Sequence, residues 1–90
     1  GLPESFEIKP AYPNPFNPST QLVFALPERG EVRIRVYDIT GRLVSVLANQ
    51  TFDAGRHQLT FDAGRLASGV YLIRGNAAGE VFTQRVTLIK

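Results

Sequence analysis

The stretch EVRIRVYD, Glu31–Asp38, alternates without a break: Val32, Ile34 and Val36 fall on one side, Glu31, Arg33 and Arg35 on the other. A repeat of two is the pattern of a strand with one buried face, and it does not fit the 3.6-residue repeat of an amphipathic helix. The same reading extends along the chain. QLVFAL (Gln21–Leu26) is a more apolar strand, stopped by Pro27 and Gly30; RLVSVLA returns from the tight turn DITG; RHQLTFD puts Leu59 and Phe61 on one face. VYLIRG and VFTQRVTLIK follow the turn-rich links GRLASG and NAAGE, and SFEIK adds a short edge strand near the start. Gly41, Gly55 and Gly69 are turn positions in this reading. Turn signals recur roughly every 8–12 residues, which predicts an all-β chain: an Ig-like antiparallel β-sandwich of about seven short strands. RLVSVLANQTF is the ambiguous element. Val44 and Val46 should face inward, yet Leu43 and Leu47 are equally apolar, and a bulge would reconcile the two faces.

Ninety residues make a single domain, 1–90, with residues 1–5 expected to be a linker or a remnant of a longer chain. The apolar fraction of 43% is that of a globular chain, and no apolar run approaches the ~20 residues of a membrane span, so no membrane insertion is expected. The opening GLPESFEIKP has neither the basic nor the apolar region of a secretory leader. Cysteine is absent, which removes disulfides and thiolate metal sites. The net charge is +2, with basic residues spread from Lys9 to Lys90 among acids, so there is no block suited to nucleic acid.

Catalysis requires convergent titratable groups. His57 is the only histidine, and no spacing ties it to Ser19, Ser45 or Ser68 as a dyad; it reads as a partly exposed strand residue. Asp38, Asp53 and Asp62 stand at strand ends, where a carboxylate caps a turn. A calcium site built from Asn14, Asn17 and one aspartate is conceivable but lacks an Asp-rich loop. GRLASG lacks the lysine and the strand–helix setting of a phosphate loop. The expectation is a non-enzymatic chain with no metal and no cofactor. Sugar stacking would fall to Tyr12, Tyr37 and Tyr71, with Phe16, in a chain without tryptophan.

AYPNPFNPST, Ala11–Thr20, is the least ordinary segment. Pro13, Pro15 and Pro18 remove donors and push Tyr12, Asn14 and Asn17 toward extended geometry, predicting a stiff stretch that pairs poorly. Phe16 is expected to plug between the sheets, while Asn14 and Asn17 bond to nearby backbone. Such a segment guards the approach to the first long strand against pairing with other chains, and it also offers a preformed epitope. RVTLIK, at Arg85–Lys90, is a second epitope, readable by strand addition if it lies at a sheet edge.

Together YPNPFNPST, VYDITGRLV and LASGVYLIR, in that order over Phe6–Lys90, resemble the type A C-terminal sorting domain of the type IX secretion system. The wider group includes the Ig-like domain of the flagellar hook-capping protein. The resemblance implies a seven-stranded Ig-like sandwich at the end of a secreted cargo from Bacteroidota or related bacteria. The domain would be read by the outer-membrane translocon, and in many members removed by a sortase-like peptidase that attaches the cargo to the cell surface. The expected partners are thus the type IX translocon, the peptidase and an upstream cargo domain, and the location is secreted or surface-attached. The two epitopes read above supply the candidate recognition residues: Tyr12, Pro13, Asn14, Pro15, Phe16, Asn17 and Pro18, with Val86, Thr87, Leu88, Ile89 and Lys90. Gln84 and Arg85 depart from the lysines of many relatives, and Phe61 from a common tryptophan. Two other readings share the fold: an accessory cell- or carbohydrate-binding or spacer module of a secreted enzyme, and a purely structural Ig-like domain.

Overall fold

Alternation becomes two layers in the structure, a computed structural model that describes residues 2–90. The strands are β1 (Glu7–Ile8), β2 (Ser19–Leu26), β3 (Gly30–Asp38), β4 (Leu43–Phe52), β5 (Gly55–Asp62), β6 (Gly69–Ala77) and β7 (Glu80–Leu88). They form a three-stranded sheet ordered β1-β2-β5 and a four-stranded sheet ordered β4-β3-β6-β7, with every pairing antiparallel. The fold is the all-β sandwich expected from the pattern.

Between the layers lie Leu22, Phe24 and Leu26 from β2, Val32, Ile34 and Val36 from β3, Phe61 from β5, Tyr71 and Ile73 from β6, and Val86 and Leu88 from β7. Burial of a full Val, Leu, Ile or Phe side chain is worth about 1.5–3 kcal/mol, so this alternating set is the main source of cohesion. Gly75 is fixed by close packing: a Cβ there would stand 2.6 Å from Phe82 Cζ and 2.8 Å from the Arg33 carbonyl oxygen.

β4 carries the expected irregularity. Its register against β3 shifts twice, so that Leu47 and Val44 fall outside the one-to-one partners. Val44 and Leu47 pack on the core, whereas Leu43 and Val46 remain 47% and 52% exposed. The assignment of Val46 to the inner face is therefore corrected: each extra residue resets the alternation, moving the inward positions three apart.

The turns are made by side chains that the sequence singles out, with one exception. Asp38 Oδ1 accepts hydrogen bonds from the Thr40 amide (2.9 Å), the Thr40 hydroxyl (2.6 Å) and the Arg42 amide (3.1 Å), and Gly41 closes the turn at φ 87°. The Thr40 hydroxyl, followed by the two amides and the Arg42 charge, holds the Asp38 carboxyl below its ordinary pKa against the opposing effect of desolvation. Asp62 accepts from the Gly64 amide at 2.9 Å. Asp53 does not cap its own turn; its carboxylate takes Arg29 at 2.7 Å and so ties the β4–β5 link to the β2–β3 link. Gly55 opens β5 at φ 123°, and Gly69 opens β6 at φ 155°. His57 lies against Phe52 and Phe24 at centroid distances of 4.9 and 5.3 Å, with Nε2 2.8 Å from the Asp53 carbonyl oxygen.

Candidate recognition surface

A sandwich has four outer strand edges, and unpaired edges invite other chains. Here β1 and β7 border one long side of the molecule, β5 and β4 the other. The AYPNPFNPST segment runs along the β1/β7 side. Its approach and start belong to the three-stranded sheet: Lys9, just before it, donates to the Val23 carbonyl at 3.0 Å, and Tyr12 and Gln21 exchange backbone bonds of 3.0 and 2.9 Å. Further on it belongs to the four-stranded sheet. The Phe16 amide donates to the Thr87 carbonyl at 2.9 Å, and the Ile89 amide donates to the Phe16 carbonyl at 3.0 Å. This is a parallel bridge between Phe16 and Leu88.

The prolines leave gaps in that backbone pairing, and two amide side chains fill them. The Asn14 side chain donates from Nδ2 to the Arg85 carbonyl (3.0 Å) and accepts at Oδ1 from the Thr87 amide (3.0 Å). From the other direction, Gln84 accepts at Oε1 from the Ala11 amide (2.8 Å) and donates from Nε2 to the Lys9 carbonyl (2.8 Å). A primary amide offers a donor and an acceptor side by side, as a peptide group does. Each side chain thus stands in for one strand residue across the seam. The expectation of local bonds for Asn14 is overturned, because its partners lie 71 and 73 residues away. Asn17 is exposed and makes no side-chain hydrogen bond among the described residues. The expectation of poor pairing is corrected too: the segment closes an edge rather than merely declining to extend one. The peptide bonds preceding Pro13, Pro15 and Pro18 are all cis.

Phe16 anchors the arrangement. It is 2% exposed, with its ring 5.6 Å from that of Phe61, between the sheets as expected. Thr20, also buried, donates its hydroxyl to the Pro13 carbonyl at 2.7 Å. Beyond β7 the Lys90 amide bonds the Ser68 hydroxyl at 3.0 Å, and its ammonium bonds the Gly64 carbonyl at 2.8 Å.

The two epitopes read from the sequence are therefore one surface. Tyr12 (79% exposed), Pro13, Asn14, Pro15, Asn17, Pro18, Ile89 (55% exposed) and Lys90 face outward, with Thr87 half-buried among them. Phe16, Val86 and Leu88 lie beneath it in the core. β7 lies at a sheet edge, but Phe16 and Asn14 already hold its backbone at Arg85, Thr87 and Ile89. Gln84, noted only as a departure from relatives, emerges as a member of the seam. A polar residue at an inward-alternating position, in step with Val86 and Leu88, was its signal in the sequence.

The sugar-stacking set does not converge. Tyr71 is 6% exposed, and its hydroxyl donates to the Ala67 carbonyl at 2.6 Å, a tyrosine-corner contact at the start of β6. The Tyr37 ring lies under the Arg74 guanidinium, 5.8 Å from the centroid. Only Tyr12 presents an open face. No group of three or more His, Cys, Asp or Glu side chains suited to a metal ion occurs among the described residues, and the Asn14 oxygen proposed for calcium holds the Thr87 amide instead.

A sandwich whose seam is made by an N-P-F-N-P segment and its closing strand matches a family model: residues 10–90 fit the secretion system C-terminal sorting domain. The chain belongs to that family, the C-terminal sorting domains of type IX secretion, whose members are non-catalytic signals marking a protein for export to the cell surface or beyond. No curated protein matches the chain.

Proposed function

We propose that this chain is the address of an upstream cargo: the type IX machinery reads it, carries the cargo across the outer membrane and leaves it released or attached at the surface, where a sortase-like peptidase acts on many such proteins. It does no chemistry of its own. The observation that carries this reading is the fusion of the proline segment and the last strand into one surface stapled by the chain's own hydrogen bonds. A preformed epitope forfeits little conformational entropy on binding. Strand addition to β7 would require Asn14 and Phe16 to leave, so recognition uses the outward side chains Tyr12, Asn17, Ile89 and Lys90.

The test fuses the chain behind a reporter carrying a Sec leader, in a host with the translocon. Tyr12→Ala with Ile89→Ser should retain the fold by circular dichroism and strand the reporter in the periplasm. Arg56→Gln, on the outer strand β5 at the other edge of the three-stranded sheet, should be exported normally. Export of the Tyr12/Ile89 variant at the parental level would reject this surface, and periplasmic retention of the parent fusion would reject the sorting role.

A further inference from the structure

The outer face of the four-stranded sheet has a charge pattern that the sorting role leaves unexplained. β3 presents Glu31, Arg33, Arg35 and Tyr37 outward, and β6 presents Leu72, Arg74 and Asn76. Arg35 lies directly opposite Arg74, and Arg33 opposite Asn76. Arg85, from β7, adjoins Leu72. The one acid among these positions is Glu31, 3.4 Å from Arg33. This face is thus more positive than the chain's net charge of +2, and Arg35, Arg74 and Arg85 form no ion pair among the described residues.

Like charges directly opposite on neighbouring strands oppose pairing. Elsewhere Arg29 is matched with Asp53, Arg42 with Asp38 and Arg56 with Glu7. Between the unmatched ones lies a cleft of about 190 Å³ lined by Arg33, Arg35, Tyr37, Arg74, Asn76 and Val81. Tyr37, beneath Arg74, holds that guanidinium on the cleft wall. Arginines lining a small depression suit an oxyanion, which accepts paired N–H donors from a guanidinium fork.

We propose that this cleft binds a phosphate ester, with Arg35 and Arg74 as the principal donors, Arg33 flanking them and Asn76 adding an amide. The bound phosphate cancels the cross-strand repulsion, so occupancy also stabilises the sheet. The site lies on a sheet face, away from the β1/β7 seam, and is independent of how the translocon reads the domain.

The experiment titrates the isotope-labelled chain with glucose 1-phosphate, holding ionic strength constant with chloride. Amide signals of Arg33–Tyr37 and Arg74–Asn76 should move and saturate, and the Arg35→Gln/Arg74→Gln variant should bind at least about tenfold more weakly. Arg56→Gln, on the other sheet, should bind as the parent does. Arg74→Gln alone should melt no lower than the parent at low salt; a lower melting temperature would make Arg74 a structural cover for Tyr37 and overturn the proposal. Equal shifts with chloride alone, or unchanged binding by the double variant, would overturn it as well. Co-sedimentation with phosphatidylglycerol vesicles, lost in the double variant, would assign the phosphate to a lipid headgroup. Saturable binding of the soluble ester without vesicle binding would assign it to a phosphorylated sugar, and failure of both ligands would reject the site.

Discussion

At the scale of single residues, the seam turns on two amides that exchange roles. Asn14→Ala removes a donor and an acceptor from the β7 backbone, but the freed groups reach water, so the expected loss is about 1–2 kcal/mol in urea denaturation. Gln84→Ala should cost a similar amount, and the double variant should lose less than the two single losses combined if the staples close one seam cooperatively. Asp38 gives a pH signature. Its folded pKa is lowered, so its contribution to stability is present above the unfolded carboxylate value and is lost as pH falls through the folded one. Asp38→Asn should flatten that acid limb, and Thr40→Val should move the Asp38 titration, followed by NMR, back toward the ordinary value. These roles were unequally legible in the sequence. Asp38 works within DITGR, where spacing alone points to the turn, and Phe16 was readable as a plug because a lone aromatic among prolines has few other uses. The partners of Asn14 were invisible: a side chain that bonds 73 residues away leaves no local pattern.

Among the elements, β4 shows how far alternation can be trusted. The pattern predicted a bulge but placed Val46 inward, because periodicity reports that two registers compete without saying where the chain changes step. Leu47→Ala should therefore destabilise by about 2 kcal/mol or more, and Val46→Thr by no more than about 0.5 kcal/mol, read from chemical-denaturation midpoints. The β6–β7 hairpin exposes a different weakness. Its turn places Ala78 at φ 53° and Gly79 at φ 75°, and alanine is poorly suited to the left-handed region. Ala78→Asn should raise stability by roughly 0.5–1 kcal/mol without altering the surface near Tyr12. NAAGE was legible as a turn; its strain was not, since the composition suits several turn types.

Across the whole molecule, the strand pattern was enough to read a sandwich, and the motif order enough to read the family. What the pattern could not supply was the asymmetry between the two long sides. One is open, with the outer edges of β4 and β5 unpaired by each other, while the other is laced shut by Lys9–Phe16. That lacing governs how a tug from an attached polypeptide would enter the domain. Tension arriving from the N-terminal side through β1 meets at Lys9 a junction gripped at once by Val23 in one sheet and Gln84 in the other, so the load divides between the layers instead of unzipping β1 from β2 bond by bond. In a force spectrometer pulling between the two chain ends, Gln84→Ala should open at lower force than the parent, whereas Val46→Thr, exposed on β4, should not. The staples that close the edge thus also spread an applied load over both layers of the domain.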